Sequence, residues 1–378
     1  MNRTQDFIEA VLARSVTKVA RLVIVTHLAP GADVLLRALH NIIPIAAIIP
    51  KPNSIDAHTR QKLDGVIFVL NFSRSDIAKH TDALLGQLGK RIDNHTFAII
   101  DTGGYFAEIL AEVSACFGEK FAGIVEDTEN GHQKYLRQLN RLRGKPFPCP
   151  VVSVARSDLK MPEDYLVGQA VVFSAEAQLR EQGQILTGKR ALVLGYGKIG
   201  RSIAQNLHCK SARVDVIDTS ATRQVLALAH GHHTGFPSVL IAQADLIFCA
   251  TGNISLTADL FVHIKKGAYI FTATSGDDEI ENHASLLKRC TPCALGKMSV
   301  VAPDPRHPQR VRFYLCNNGN AVNFLNGGIV GDFIKLVQAE FIYAATQLPC
   351  VTERHGIQEV EDGAKQFIAK LWMQHFSN

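Results

Sequence analysis

An α/β protein with two doubly wound parallel sheets is what this sequence predicts, and three observations carry the prediction. The chain has 378 residues, too many for one ordinary domain. From residue 20 to about 155, short apolar runs rich in Val and Ile alternate with helical stretches and turn residues. A second alternation of the same kind opens near residue 190 on a glycine-rich turn. Apolar residues make up 47% and charged residues 20%, the balance of a folded globular chain. The expected division is a first domain over 1–165, completed by about 326–350, a second over 166–325 and a C-terminal helical segment over 351–378.

Composition excludes several classes of function. Lys and Arg total 40 against 35 Asp and Glu, a formal net charge of +5, and no Lys/Arg block is long enough for a nucleic-acid or membrane-surface footprint. No apolar run approaches membrane-spanning length. The start, MNRTQDFIEAVLARSVTKV, carries Asp6 and Glu9 in an amphipathic pattern unlike a signal peptide, so a cytoplasmic location is expected. The 8 cysteines are thinly spread, which argues against a disulfide framework. Cys290 and Cys293 form one C-x-x-C without a second pair nearby, so ordinary thiols and no metal are expected.

In the first half the strand-like runs are RLVIVTHLAP, IIPIAAIIPKP, GVIFVLNF, TFAIIDTGG, GIVEDTENG and PVVSVA. Continuous apolar runs are the mark of strands buried on both faces, and their spacing leaves room for crossover helices. Several end in polar clusters: Thr26-His27, Lys51 to Ser54, Asp101-Thr102 and Glu126 to Thr128. Open α/β sheets bind ligands beyond the carboxyl ends of their strands, which makes these clusters a candidate substrate site. Loops are polar in any case, and for a single cluster that plainer explanation stands beside the functional one.

Residues 164 to 184 form a long helical pattern that leads into ALVLGYGKIGRSIAQNL. Here a buried strand runs into Gly195-Tyr196-Gly197-Lys198-Ile199-Gly200 and then a helix, the order a Rossmann dinucleotide site requires. Gly195 permits the tight turn, Gly197 lets a pyrophosphate approach the backbone, and Gly200 allows helix and strand to pack closely. The next strand, RVDVID, ends in Asp218 at about the 20-residue distance where an acid binds the adenosine ribose. With no Arg or Lys directly after Asp218, NAD is favoured over NADP as the cofactor. ADLIFCATGN reads as a further strand ending in Thr251-Gly252-Asn253, and KKGAYIFTATSGDDEI as another ending near Ser275. VRFYLCNNGNAVNFLNGG reads as a hairpin-like stretch, followed by two helical segments.

Taken in order, these residues resemble the S-adenosylhomocysteine hydrolase (adenosylhomocysteinase) family over most of 20–335. TGKRALVLGYGKIGRSIAQNL is similar to its glycine motif and ADLIFCATGN to its Thr-Gly-Asn strand. DTGGY resembles its Asp-Asp-Gly-Gly-Asp, GIVEDTENG its Gly-x-x-Glu-Glu-Thr-Thr-Thr-Gly, and NAVNF its Arg-Leu-Val-Asn-Leu. The resemblance implies oxidation of a ribose 3′-hydroxyl by tightly held NAD, removal of the acidified 4′ proton, loss of homocysteine, addition of water and reduction of the ketone. Carried over by position, Lys160 and Asp164 would handle the 3′-hydroxyl and His27 would stand near the leaving group. Asp101, Thr102, Asp127 and Ser54 would line the substrate. Thr128, Asp218, Thr251, Gly252, Asn253 and Asn323 would join Gly195, Gly197, Lys198, Ile199 and Gly200 in holding NAD. The resemblance also implies a homodimer or higher homo-oligomer and a small, nucleoside-like substrate.

The departures from the family's pattern are as informative. The second aspartate, the family's 4′ base, is Thr102, whose hydroxyl cannot accept a proton at neutral pH without activation. Gln169 stands for a cysteine, Tyr165 for an asparagine and Ser275 for a histidine. LNGGIVGD lacks the Gly-His gate, and AKLWMQHFSN replaces the Lys/Tyr tail that closes over a neighbour's NAD. Efficient hydrolysis of S-adenosylhomocysteine is therefore not expected; hydride transfer at a sugar hydroxyl of a changed substrate is. A catalytically degenerate NAD-binding regulator is the alternative, and a 2-hydroxyacid dehydrogenase, which wants an Arg and a Glu/His pair, ranks last. Structural roles also remain open: His27 as a loop cap, Lys160 and Asp164 as a solvated helix pair, Glu126 and Asp127 as helix caps.

Overall fold

A computed structural model describes residues 3–15, 19–302 and 312–377. The chain divides into two compact units, Met1–Lys160 with Gly331–Asn378, and Met161–Val330. Val311, where the hairpin-like stretch is expected to begin, lies outside the described residues.

The first unit is built on five parallel strands, β1 (Arg21–Leu28), β2 (Ile45–Ile55), β3 (Phe97–Asp101), β4 (Phe121–Glu126) and β5 (Val151–Ser153), in the order β2-β1-β3-β4-β5. Ile24 lies opposite Ile48 and Ile100, and Asp101 opposite Glu126, which in turn faces Ser153, so the polar strand ends form one row. The Val and Ile side chains alternate between two cores because both faces are covered. One core gathers Ile24, Ile48 and Ile100 with the helices Arg3–Leu12, Ala32–Ile42 and Ile334–Gln347; the other gathers Val23, Val25 and Ile99 with Thr81–Ile92 and Leu110–Phe117. The C-terminal helix Asp362–Phe376 packs in the first core through Ala364 and Ile368.

The run GVIFVLNF, expected as a strand, is not one. It makes a single parallel bridge, Ile48 to Val69, at the sheet edge. Gly65 (φ +75°) turns the chain at its first residue, and Phe72 N–H folds back to the Leu70 carbonyl just before Ser73 caps the helix Arg74–Lys79. Apolar content places the segment against the core through Phe68, Leu70 and Phe72, but these turns leave no length for a ladder.

The second unit holds β6 (Arg190–Leu194), β7 (Arg213–Ile217), β8 (Leu246–Cys249), β9 (Tyr269–Thr272), β10 (Cys290–Pro292), β11 (Met298–Val301) and β12 (Phe313–Cys316). Their order is β10-β11-β12-β9-β8-β6-β7, parallel from β12 to β7, with β10 and β11 added antiparallel at one edge. The hairpin partner of β12 is thus the preceding β11, and the chain after Cys316 continues in short 3-10 turns. Helix Met161–Glu181 packs on helix Lys198–Cys209 at Gly168, where a Cβ would stand 2.5 Å from the Ser202 side chain. Among the described residues, no helix is long and apolar enough to cross a membrane.

Candidate active site

The glycine turn of the second unit has the geometry its spacing implies. Gly195 adopts φ +96°, and a Cβ there would meet the Ala250 carbonyl and the Thr251 side chain at 2.8 Å. A Cβ on Gly200 would fall 1.9 Å from the Gly195 carbonyl oxygen, so helix and turn touch only because no side chain intervenes. Gly197 differs: the nearest atom to its notional Cβ is Arg223 Nη1 at 4.0 Å, which leaves space against the backbone. Gly197 also starts the helix Lys198–Cys209 without a side-chain cap, leaving backbone N–H groups and the positive helix end for an anion.

Asp218, at the end of β7, is buried and takes hydrogen bonds from the Tyr196 N–H (2.7 Å) and the Ser220 N–H (2.8 Å). Arg223 Nη1 stands 3.5 Å from the same carboxylate, a cation brought over the turn from one helix further along the chain. Lys198 Nζ lies 3.6 Å from Asp164, so the acid expected beside Lys160 reaches into this turn. Ile199 packs against the unit's apolar core.

The Thr251 loop is organised by Glu279, a residue that no sequence motif singles out. Glu279 is fully buried and accepts from the N–H groups of Thr251 (2.8 Å) and Gly252 (2.7 Å) and the hydroxyls of Thr251 (2.7 Å), Ser255 (2.7 Å) and Thr274 (2.9 Å). Burial raises its carboxyl pKa, against the pull of these donors. Asn253 is exposed, with its N–H on Thr251 Oγ1 (3.1 Å). Asn323 is buried, and its Oδ1 accepts no hydrogen bond from the described residues. An open Gly197, an uncapped helix end and an orphaned amide oxygen fit a dinucleotide: Gly197 and the helix N-terminus would take the pyrophosphate, Asp218 the ribose, and Asn323 a donor on the cofactor.

In the first unit the strand ends assemble a second polar cluster. The ring of His27, near the end of β1, bonds the Ser54 hydroxyl through Nδ1. Burial, with the Lys51 and Lys160 ammonium groups nearby, holds its pKa well below the ordinary imidazole range, so this ring is neutral at pH 7. Lys160 is buried and donates to Asp127 Oδ1 at 2.8 Å. Spacing points to Asp164 as its companion; the structure adds an ion pair with Asp127, which follows β4. Lys134 donates to the Gly103 carbonyl at 2.8 Å.

Asp101 and Glu126 turn inward. Asp101 accepts from the N–H groups of Tyr105 (3.1 Å) and Phe106 (3.0 Å) and from the Tyr135 hydroxyl (2.7 Å). Glu126 accepts from the N–H groups of Gly103 and Gly104 (3.0 Å each) and of Thr128 (2.7 Å), and from the Thr128 hydroxyl (2.7 Å). Burial and the Asp101 charge push Glu126 up to about 8, and burial raises Asp101 as well. Thr128 in turn caps the helix Glu129–Arg141 through the Gly131 N–H at 3.0 Å. Thr102, between these anchors, is buried.

One further acid belongs to no motif in the sequence. Glu340, on the helix Ile334–Gln347, is fully buried, and neither of its oxygens has a hydrogen-bond partner among the described residues. Burial raises it to about 7; Ser157, Lys365 and Lys160 pull the other way, and Asp127 adds to the rise. A lone carboxylate in VQAEFIYAA is the signal available in the sequence.

Residues 174–303 match the family model for the NAD-binding domain of S-adenosyl-L-homocysteine hydrolase. An adenosylhomocysteinase from Aeropyrum pernix is 28% identical over 228 residues, 60% of this chain and 53% of that protein. An S-inosyl-L-homocysteine hydrolase from Methanopyrus kandleri is 25% identical over 284 residues, 73% of this chain and 65% of the relative. The matches thus span from about half to just under two thirds of these relatives' lengths. Among solved structures, a glyoxylate reductase from Paecilomyes thermophila aligns over 94% of this chain and 94% of its own at 10% identity, with a TM-score of 0.44.

Proposed function

We propose that this divergent relative of the S-adenosyl-L-homocysteine hydrolases is an NAD-dependent enzyme that oxidises a sugar hydroxyl of a small, nucleoside-like substrate without efficiently cleaving S-adenosylhomocysteine. The observation that carries the reading is the part-buried Lys160–Asp127 pair, 2.8 Å long, in a chain that also holds the glycine turn of an NAD site. Bound NAD supplies the hydride acceptor. The hydroxyl proton must leave as the hydride does, and Lys160 can stabilise the developing alkoxide while Asp127, on the far side of the same hydrogen bond, takes the relayed proton. Asp164, bound to Lys198, serves in this reading to fix the cofactor turn. His27, neutral and bonded to Ser54, orients the substrate and can accept a hydrogen bond from it.

Elimination from the oxidised sugar needs a further base aimed at the neighbouring C–H bond. Thr102 is not one. Asp101 and Glu126 have their oxygens committed to loop N–H groups and hydroxyls, so neither replaces it. A homo-oligomer is part of the proposal.

The test is to incubate the NAD-loaded chain with adenosine, inosine and S-adenosylhomocysteine, following NADH absorbance and free thiol together. NADH with at least one nucleoside, and little thiol, is expected. Stoichiometric homocysteine release would contradict the reading. The substitution at Thr102 also favours a second one, an NAD-binding regulator, which predicts tight NAD binding and no NADH with any nucleoside.

A further inference from the structure

Along one face of the helix Lys198–Cys209 in the second unit runs a cavity of about 450 Å³, to which the roles above assign nothing but Lys198 at its edge. Its floor is Tyr196 and His232, both buried. Lys198, Arg201 and His208 line it from the helix, and His230 from the end of the helix Ala221–Ala229. Tyr165 and Met161 contribute an aromatic and apolar wall. No carboxylate is among its described lining residues; the nearest acid named above, Asp164, stands 3.6 Å from Lys198.

Such a lining selects its ligand by charge. Two permanent cations and three imidazoles surround a space large enough for a small molecule, so positive charge added at His232 is repelled by its neighbours. His232 shows this: burial, then His208 and His230, lower its pKa. An oxyanion placed among them relieves that repulsion and pairs with Arg201 through its planar fork of donors.

The cavity is also wired to the cofactor turn. Tyr196 sits between Gly195 and Gly197; its hydroxyl meets His230 Nδ1 at 2.8 Å and its N–H donates to Asp218 at 2.7 Å. Arg201 Nε reaches the Gly197 carbonyl at 3.4 Å. Whatever seats His230 and Arg201 therefore bears on the backbone that receives the pyrophosphate.

We propose that this cavity binds a small polyanion, a molecule with two or more oxyanion groups, and that its occupancy changes NAD affinity through Tyr196 and Arg201. This does not depend on which reaction the chain performs. Calorimetry on the full chain with inorganic pyrophosphate and with citrate separates phosphoryl from carboxylate ligands. At least one should bind one-to-one, with a Kd below about 1 mM. Arg201→Met, with its fold checked by circular dichroism, should weaken binding at least tenfold, and Arg201→Lys should fall between. NAD affinity should shift at least threefold with the anion saturating, and Tyr196→Phe, which keeps the ring but loses the His230 contact, should remove that shift. No saturable binding of either probe below about 10 mM, or wild-type affinity in Arg201→Met, would overturn the site. Unchanged NAD affinity in the presence of bound anion would overturn the coupling.

Discussion

Glu126 in the first unit and Glu279 in the second hold strand-end loops in the same way, each collecting two or more backbone N–H groups on a buried carboxylate. They differ in what stands beside them. Glu279 is surrounded by the hydroxyls of Thr251, Ser255 and Thr274, which can donate without adding charge. Glu126 shares its surroundings with a second buried acid, Asp101, and the Lys160–Asp127 pair follows in the same row of strand ends. The second unit therefore reads as a cofactor cradle fixed by neutral donors. In the first, two buried acids and a charge pair stand together at the strand ends.

The strongest way to break this comparison is to remove the charge pair. Lys160→Ala or Asp127→Asn should lower NADH formation by about 100-fold or more, the range for loss of a proton-transfer group, and leave NAD affinity unchanged. Single-turnover absorbance against NAD calorimetry checks this, and rates within a few-fold of wild type would refute it. Asp164→Asn sharpens the contrast: with Asp164 on Lys198, it should weaken NAD binding instead.

Next in size is the packing of the first loop. A Cβ on Gly131 would lie 2.1 Å from the Glu126 carboxyl, so Gly131→Ala should cost about 3 kcal/mol, the scale of overpacking a buried site. Gly86, in the helix Thr81–Ile92 with nothing within 4 Å, is the control; Gly86→Ala should stabilise by about 0.5 kcal/mol. Urea midpoints of the two variants moving together would contradict this account.

A smaller effect separates the buried acids Glu340 and Glu126. Glu340, raised to about 7, keeps its proton in the folded chain after the unfolded chain has released it near the ordinary glutamate value of 4.5. The unfolded state thus binds fewer protons in that window, and stability falls as pH rises from about 4.5 to about 7. Glu340→Gln cannot ionise, so it should match wild type at pH 4 and melt higher at pH 8, by the equivalent of about 2 kcal/mol. Parallel melting curves across pH would disprove it. Glu126→Gln, which sets amide N–H groups against donors already in place, should destabilise at both pH values.

The smallest effect concerns cofactor choice. Asp218 should favour NAD over NADP about tenfold, about 1.4 kcal/mol. Arg223, 3.5 Å from Asp218, can partly accommodate a 2′-phosphate, so Arg223→Ala should widen that preference. Equal affinities measured by calorimetry would contradict the role given to Asp218.

How much of the fold and site is legible in the sequence follows the range of the interactions. Gly195, Gly197, Gly200 and Asp218 act within one strand-turn-helix unit, and spacing alone discloses them. Glu279 acts on Thr251, 28 residues away, and only the fold brings the two together; Glu340 likewise meets its charged neighbours across long stretches of chain. Spacing of i,i+4 relates Lys160 to Asp164, but it does not disclose the Lys160 bond to the loop after β4, which the fold supplies. Composition makes GVIFVLNF a strand, but composition reports burial and not the turns at Gly65 and Phe72 that stop a ladder. Arg223 escapes a reading confined to the residues directly after Asp218, because the helix Ala221–Ala229 is what returns it to the turn.

The central claim, oxidation retained and elimination lost, is tested most directly by isotope transfer. The NAD-loaded chain is incubated in D2O with S-adenosylhomocysteine or adenosine, and in a parallel sample in H2O with the same compound deuterated at the 3′ carbon. Mass spectrometry then follows both cofactor and nucleoside. The account predicts 3′ deuterium on the reduced cofactor in H2O, and no solvent deuterium at the 4′ carbon in D2O, because Lys160–Asp127 can relay the hydroxyl proton while Thr102 cannot remove the C–H proton. Solvent exchange at the 4′ carbon, or no transfer to the cofactor from any ribosyl compound, would contradict it.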